Sequence, residues 1–168
     1  MDEKPKPRRI PKLLIGCLML CLLSCVGIAI FLAVQLLRFE PQRQAYKHNL
    51  SLWKSQAIRH YRFNLEVGCN CPWSRLMPLD IEVRDGEIVS MVASNDGDVT
   101  PYLESFRFHG TIDSLFNTVD SSISMFTYRL EVKYDATYGF PTSIIIDPSR
   151  MITDDAIGYY ITNFEVLP

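Results

Sequence analysis

Charge is absent from one long stretch of this chain, and cysteine is scarce in the rest. From Leu13 to Leu37 no acidic or basic side chain occurs. Five cysteines are present, but only Cys69 and Cys71 lie outside that stretch. A single pair excludes a disulfide-framework miniprotein and a four-cysteine zinc module. No P-loop, dinucleotide fingerprint, G-x-S-x-G elbow or H-E-x-x-H occurs, so no motif implies a cofactor. Basic residues are in short supply after residue 37, with 12 Lys and Arg against 17 Asp and Glu. That acidic balance lacks the footprint of a nucleic-acid binder, and no nucleic-acid partner is expected.

What is there begins with the uncharged stretch itself, LLIGCLMLCLLSCVGIAIFLAVQLL. At about 1.5 Å per residue a helix of this length exceeds the roughly 30 Å hydrocarbon core of a bilayer. It predicts a transmembrane helix over 13–37. The run is longer than the roughly 7–15-residue core of a cleaved signal, and no A-x-A-like site precedes Arg38. Leu22-Leu23-Ser24-Cys25 gives an alternative, a lipobox that makes Cys25 the lipidated N-terminus of a lipoprotein; the apolar chain beyond Cys25 favours the retained span. Residues 1–12 form a basic tail with Lys4, Lys6, Arg8, Arg9 and Lys12, against Arg38, Arg43 and Lys47 on the other flank. The bias predicts a cytoplasmic N-terminus and a domain outside, in the cell membrane, where disulfides persist. Cys17, Cys21, Cys25, Ala29 and Ala33 recur at every fourth residue. This stripe of small side chains suits close helix–helix approach and a weak homodimer through the span.

Beyond the span, Glu40-Pro41 opens a second helical stretch, since proline suits a first helical position. Residues 38–49 begin this juxtamembrane segment, and 50–168 form one folded domain. Tyr46, Leu50, Trp53 and Ala57 share one face of a helix expected over 42–58. Tyr61–Val67 and Leu79–Arg84 alternate apolar and polar residues, as half-buried strands do. Asp85-Gly86 is a two-residue hairpin turn that sets Arg84 opposite Glu87 and Val83 opposite Ile88, with a return strand over 87–93. Residues 94–110 read as a long loop. Ile112, Leu115, Phe116, Val119 and Ile123 define the next helix, with Thr111 as N-cap and Asp113 at the positive end of its dipole. Strands over 128–134, 142–147 and 157–166 follow, with Gly139 placed for a positive φ between the first two. The order is helix, three strands, helix, three strands, and the halves echo in sequence: Tyr61-Arg62-Phe63-Asn64-Leu65-Glu66-Val67 against Tyr128-Arg129-Leu130-Glu131-Val132. The class is α+β, with about six antiparallel strands and helices packed on one face.

The ordered set Leu52-Trp53, Tyr61-Arg62-Phe63, Cys69-Asn70-Cys71-Pro72, Val83-Arg84-Asp85-Gly86, Thr111-Ile112-Asp113-Ser114-Leu115-Phe116, Tyr134-Asp135, Gly139-Phe140-Pro141-Thr142 and Asp154-Asp155 resembles a family of bacterial exported domains, the domain of unknown function DUF6174. The resemblance covers roughly residues 50–167. It implies a secreted, lipidated or membrane-anchored domain and carries no assigned activity.

Cys69-Asn70-Cys71 is the sharpest candidate site. In a regular strand the two Cβ atoms stand roughly 6–7 Å apart, whereas a disulfide needs roughly 3.5–4.5 Å. A bridge therefore requires a kink, which Asn70 and Pro72 permit. Four readings fit the pair: a local structural disulfide, two reduced thiols, a redox-active disulfide, or half of a metal site completed by His60 or His109. Asp147, Asp154 and Asp155, and likewise Asn95, Asp96 and Asp98, read as turn residues and do not match a calcium loop. Tyr102, Phe106 and Phe108 in the long loop either cover the core or face a partner. The function expected is a non-enzymatic, membrane-tethered module that binds an envelope protein or ligand. The alternative is a thiol-redox or metal-dependent enzyme using Cys69 and Cys71.

Overall fold

The computed structural model describes residues 12–152 and 154–168; the N-terminal tail and its basic cluster lie outside that range. Contacts divide the chain into two units, one ending at Arg38 and one spanning Phe39–Pro168. A single helix, α1 (Lys12–Ser55), supplies residues to both. In the first unit the described side chains from Gly16 to Arg38 are exposed, Leu18, Leu23, Phe31 and Leu37 among them. A helix that is apolar all round and uncovered by its own chain is stable only in an apolar medium. By length and composition α1 is able to cross a membrane.

Helix α1 continues through Pro41 rather than restarting there. Proline removes one amide donor from the ladder. Tertiary packing offsets that loss, because Phe39 and Trp53 are buried and Tyr46 and Leu50 rest against the core. The helix ends at Ser55, three residues before the sequence pattern suggests. Ala57 takes a left-handed φ of 50° and is exposed instead of continuing the apolar face.

Six strands form the second unit's sheet: β1 (His60–Gly68), β2 (Leu79–Arg84), β3 (Glu87–Ala93), β4 (Arg129–Tyr134), β5 (Pro141–Asp147) and β6 (Ile157–Val166). Their spatial order is β3-β2-β1-β6-β5-β4, and every neighbouring pair is antiparallel. Tyr61, Phe63, Leu65 and Val67 of β1 are buried while Arg62 and Glu66 are exposed, as alternation requires. In the β2–β3 hairpin Arg84 pairs with Glu87 and Val83 with Ile88. Asp85 and Gly86 both have positive φ, 54° and 83°, the conformation of a type I′ turn. Arg84 Nη2 lies 3.8 Å from Glu82 Oε1 and 3.3 Å from His60 Nε2.

Residues 94–110 are more ordered than a loop. A 3-10 turn (Thr100–Tyr102) leads into a short helix, α2 (Leu103–Arg107), ahead of α3 (Ile112–Ser124). The five apolar residues that predict α3 are all buried on the sheet. Its N-terminus carries a reciprocal capping box: the Ser114 amide donates to Thr111 Oγ1, and the Thr111 amide to Ser114 Oγ. The Ile112 amide donates to the buried Tyr61 hydroxyl at 3.1 Å, tying α3 to the central strand. Trp53 meets Tyr61 edge-on at 5.5 Å, so α1 and α3 share one face of the sheet.

The sequence echo between the halves has no matching symmetry. A two-fold about the sheet normal exchanges β1 with β6 and β3 with β4, which reverses the chain order. A repeat with both helices on one face would need β1 to map onto β4.

Candidate binding cleft beside the third helix

Next to its buried stripe, α3 carries a polar one. Ser114, Asn117, Thr118, Ser121 and Ser122 recur at helical spacing, and Met125 continues the line. The corner between α2 and α3 brings Arg107, Phe108 and His109 to this side, and Thr127, Ile146 and Pro148 close the other. Together they line an open cleft of about 550 Å³. Phe108 and Met125 are 71% and 77% exposed and form its apolar lips.

The hydroxyls in the cleft are oriented by backbone carbonyls. Ser114 Oγ donates to Thr111 O, Thr118 Oγ1 to Ser114 O, and Ser122 Oγ to Thr118 O, at 2.8, 3.0 and 2.8 Å. With their protons engaged, these oxygens offer lone pairs to an incoming donor. His109 is half-buried, its ring 4.9 Å from that of Tyr159. Its Nδ1 lies 3.4 Å from Thr118 Oγ1 and its Nε2 3.4 Å from Tyr159 Oη. Burial holds the imidazole pKa below its ordinary value, which favours the neutral ring with one donor and one acceptor. Burial also raises the Tyr159 phenol to about 12. The lining thus suits a ligand that brings hydrogen-bond donors and an apolar group.

The residues singled out from sequence are dispersed. Phe106 is core, 1% exposed and edge-on to Trp73 at 5.1 Å. Tyr102 packs against the core half-buried, so of the three aromatics Phe108 alone lines the cleft. Cys69 and Cys71 stand at disulfide distance just past the end of β1, with Cα atoms 5.3 Å apart and both residues half-buried. The bend at Cys69-Asn70 supplies the kink that the strand geometry demands. An open depression of about 440 Å³ lies beside them, lined by Gly68, Cys69, Asn70, Asp154 and Ala156. His60 opens β1 and Cys69 follows its end, so the strand separates them by about 27 Å. His60 is engaged elsewhere, with Nδ1 2.7 Å from Pro168 O and Nε2 2.8 Å from Glu82 Oε1. The hydrogen bonds from His60 Nε2 and Arg62 hold the Glu82 carboxyl below the usual carboxylate range. Among the described residues no group of three His, Cys, Asp or Glu side chains is placed to hold a metal ion. Asn95, Asp98 and Asp147 accept amide hydrogen bonds within their own turns. Cys17, Cys21, Cys25, Ala29 and Ala33 all lie exposed on α1 in the first unit.

The α3 cleft escapes a reading of the sequence because its parts come from three separate segments. The signal that marks it is the Ser/Thr/Asn stripe running beside the apolar stripe of α3.

The fold is that of a small α+β domain with an open sheet, carried on a chain with a membrane-length apolar helix. The chain belongs to the family of unknown function DUF6174, whose model matches residues 45–166. No curated protein and no solved structure matches it. The residues that carry the family resemblance serve the frame of the domain. Tyr61 and Thr111–Phe116 anchor α3, and Asp85-Gly86 turns the hairpin. Asp135 Oδ1 accepts from the Thr137 and Tyr138 amides in the β4–β5 turn. In that turn Gly139 has φ 82°, and a Cβ there would sit 2.6 Å from Asn49 O on α1.

Proposed function

We propose that this chain is a single-pass membrane protein with its N-terminus in the cytoplasm, and that its outer domain is a non-enzymatic binding module. The lining of the α3 cleft carries this reading: Phe108 is an exposed apolar lip beside hydroxyls whose protons are already donated to backbone carbonyls. Its volume falls within the range of about 300–1,000 Å³ usual for ligand sites. An extended segment of an envelope protein fits the chemistry, with backbone N–H groups meeting the Ser/Thr stripe and an apolar side chain against Phe108. The charge asymmetry about the uncharged run supports the orientation.

A photo-reactive residue in place of Asn117, in the full-length protein in cells, tests the cleft. The expected result is one discrete crosslinked partner that disappears with Phe108→Asp. The same probe at Glu131, on the opposite face of the sheet, should not capture it. Equal capture at both positions would refute the cleft as the binding site. A reporter fused after Pro168 that works only in the cytoplasm should stay silent; activity would reverse the orientation.

The second reading is thiol–disulfide exchange at Cys69 and Cys71, supported by their half-exposure beside an open depression. A substrate thiolate would attack one sulfur, form a mixed disulfide and expel the other as thiolate. Such a bridge is reduced by a small excess of glutathione, whereas a structural bridge resists it.

A further inference from the structure

Five large apolar side chains are exposed at one corner of the second unit. Met125, Phe126 and Tyr128 lie in the turn from α3 to β4, at 77%, 40% and 39% exposure. Met151 and Ile152 lie in the β5–β6 loop, at 93% and 59%. Strand pairing brings the two segments together. Arg129 is opposite Asp147, Ile146 is opposite Ile157, and the Tyr128 amide donates to Pro148 O at 3.4 Å. Single exposed apolar residues are ordinary on a protein surface, but a cluster of this size marks a contact.

Covalent spacing identifies what it contacts. Phe126 packs edge-on against Phe39, ring centroids 6.0 Å apart. Phe39 is two residues after Leu37, the last residue of the uncharged run. At 3.8 Å per Cα step it lies within about 7.6 Å of that run's end, whatever the attitude of the two units. The headgroup layer on each side of a bilayer is about 5–8 Å deep. Phe39 therefore lies at the depth where Tyr and other amphipathic side chains gather at membrane surfaces, and Phe126 is its packing partner. Arg150, Asp154 and Asp155 leave the same loop with one net negative charge, so the contact is made by apolar side chains rather than by attraction to anionic headgroups.

We propose that the Met125–Phe126–Tyr128 turn and the Met151–Ile152 loop form a lipid-contacting rim that rests on the bilayer surface. The proposal rests on the reading of 13–37 as a span.

Nitroxide accessibility tests it on the full-length chain in phosphatidylcholine nanodiscs. Cys17, Cys21 and Cys25 are replaced by Ala, and one label is attached through Met125→Cys, Met151→Cys, Thr137→Cys or Val26→Cys. Thr137 lies in the β4–β5 turn at the other end of α1's docked segment, where its carbonyl accepts from Gln56 Nε2. Labels at 125 and 151 should be relaxed more by oxygen than by a water-soluble nickel complex, as at 26. The order should reverse at 137. Nickel-dominated relaxation at 125 and 151, with oxygen dominating at 26, would overturn the rim and leave the span standing. Nickel dominating at 26 would overturn both. Labels at 125 and 151 shielded from both relaxants would replace lipid by a protein contact and also overturn the proposal.

Discussion

Between Leu13 and Leu37 helix α1 is apolar on every side, whereas between Phe39 and Ser55 it is apolar on one. Gln44, Lys47 and Lys54 line the second segment away from Tyr46, Leu50 and Trp53. Helical continuity is the same in both; the surroundings that each pattern suits are not. Where every side meets the same solvent, no periodicity is required. Where one side meets a sheet and the other water, the pattern must follow the 3.6-residue turn. The contrast shows why length identifies the first segment and spacing identifies the second.

Truncation should expose the contrast most sharply. Trp53 is 5% exposed and meets Tyr61, Phe140 and Phe164, so Trp53→Ala should cost the domain about 3–5 kcal/mol in denaturant unfolding. Leu36→Ala, at a side chain 56% exposed, should leave the same transition unmoved. Equal losses would mean that the two segments share one core, and the comparison would fail.

A backbone contact gives the next effect. The second segment admits the β4–β5 turn only because Gly139 has no side chain. A Cβ would strike Asn49 O at 2.6 Å and Leu52 Cβ at 3.0 Å, at a φ that L residues avoid. Gly139→Ala should lower domain stability by about 1–3 kcal/mol, read as a drop in Tm. An unchanged Tm would show that the helix end and the turn are not held together.

Between Leu13 and Leu37 no acid, base or histidine occurs, whereas the second segment docks on a domain that holds titrating groups. Burial lowers the folded pKa of His109 below the ordinary value of about 6.5. The unfolded chain then binds the proton more readily than the folded one. The contribution is complete above about 6.5 and is lost as pH falls from there toward the folded pKa. Glu82, also lowered, acts in the same direction but below the ordinary carboxylate value. Unfolding free energies measured at several pH values between 7.5 and 5 should fall with acidity, and His109→Gln should flatten that slope. An unaltered slope in the variant would move its origin elsewhere.

The smallest effect is expected in the first segment. Cys21→Leu with Cys25→Leu adds bulk to the small-residue stripe and should abolish self-association in a membrane two-hybrid assay, with domain stability unchanged. Leu20→Phe should matter less. A signal indifferent to all three would reduce the stripe to composition.

The strands, the hairpin register and α3 are legible in the sequence because each is settled by neighbours a few residues apart. Alternation sets Tyr61–Val67, Asp85-Gly86 sets the turn and its pairing, and Thr111 with Ser114 caps α3. Residues 94–110 mislead for the same reason. Turn-forming residues open the segment, and α2 is only five residues long. Its helicity is upheld by Phe106 buried against Trp73, a partner more than thirty positions away.

The uncharged run, its length against a bilayer, the α+β class and the family resemblance are all readable from residue order. Those follow from composition and local spacing, which need no partner to be read. Tertiary structure alone decided that α1 runs through Pro41, that β1 pairs with β6, and that Phe106 is core while Phe108 is surface. It also decided that Ser, Thr and His side chains from separate segments meet in one cleft. Each of these depends on a nonlocal contact, where the free energy of burial outweighs the local preference of the residue.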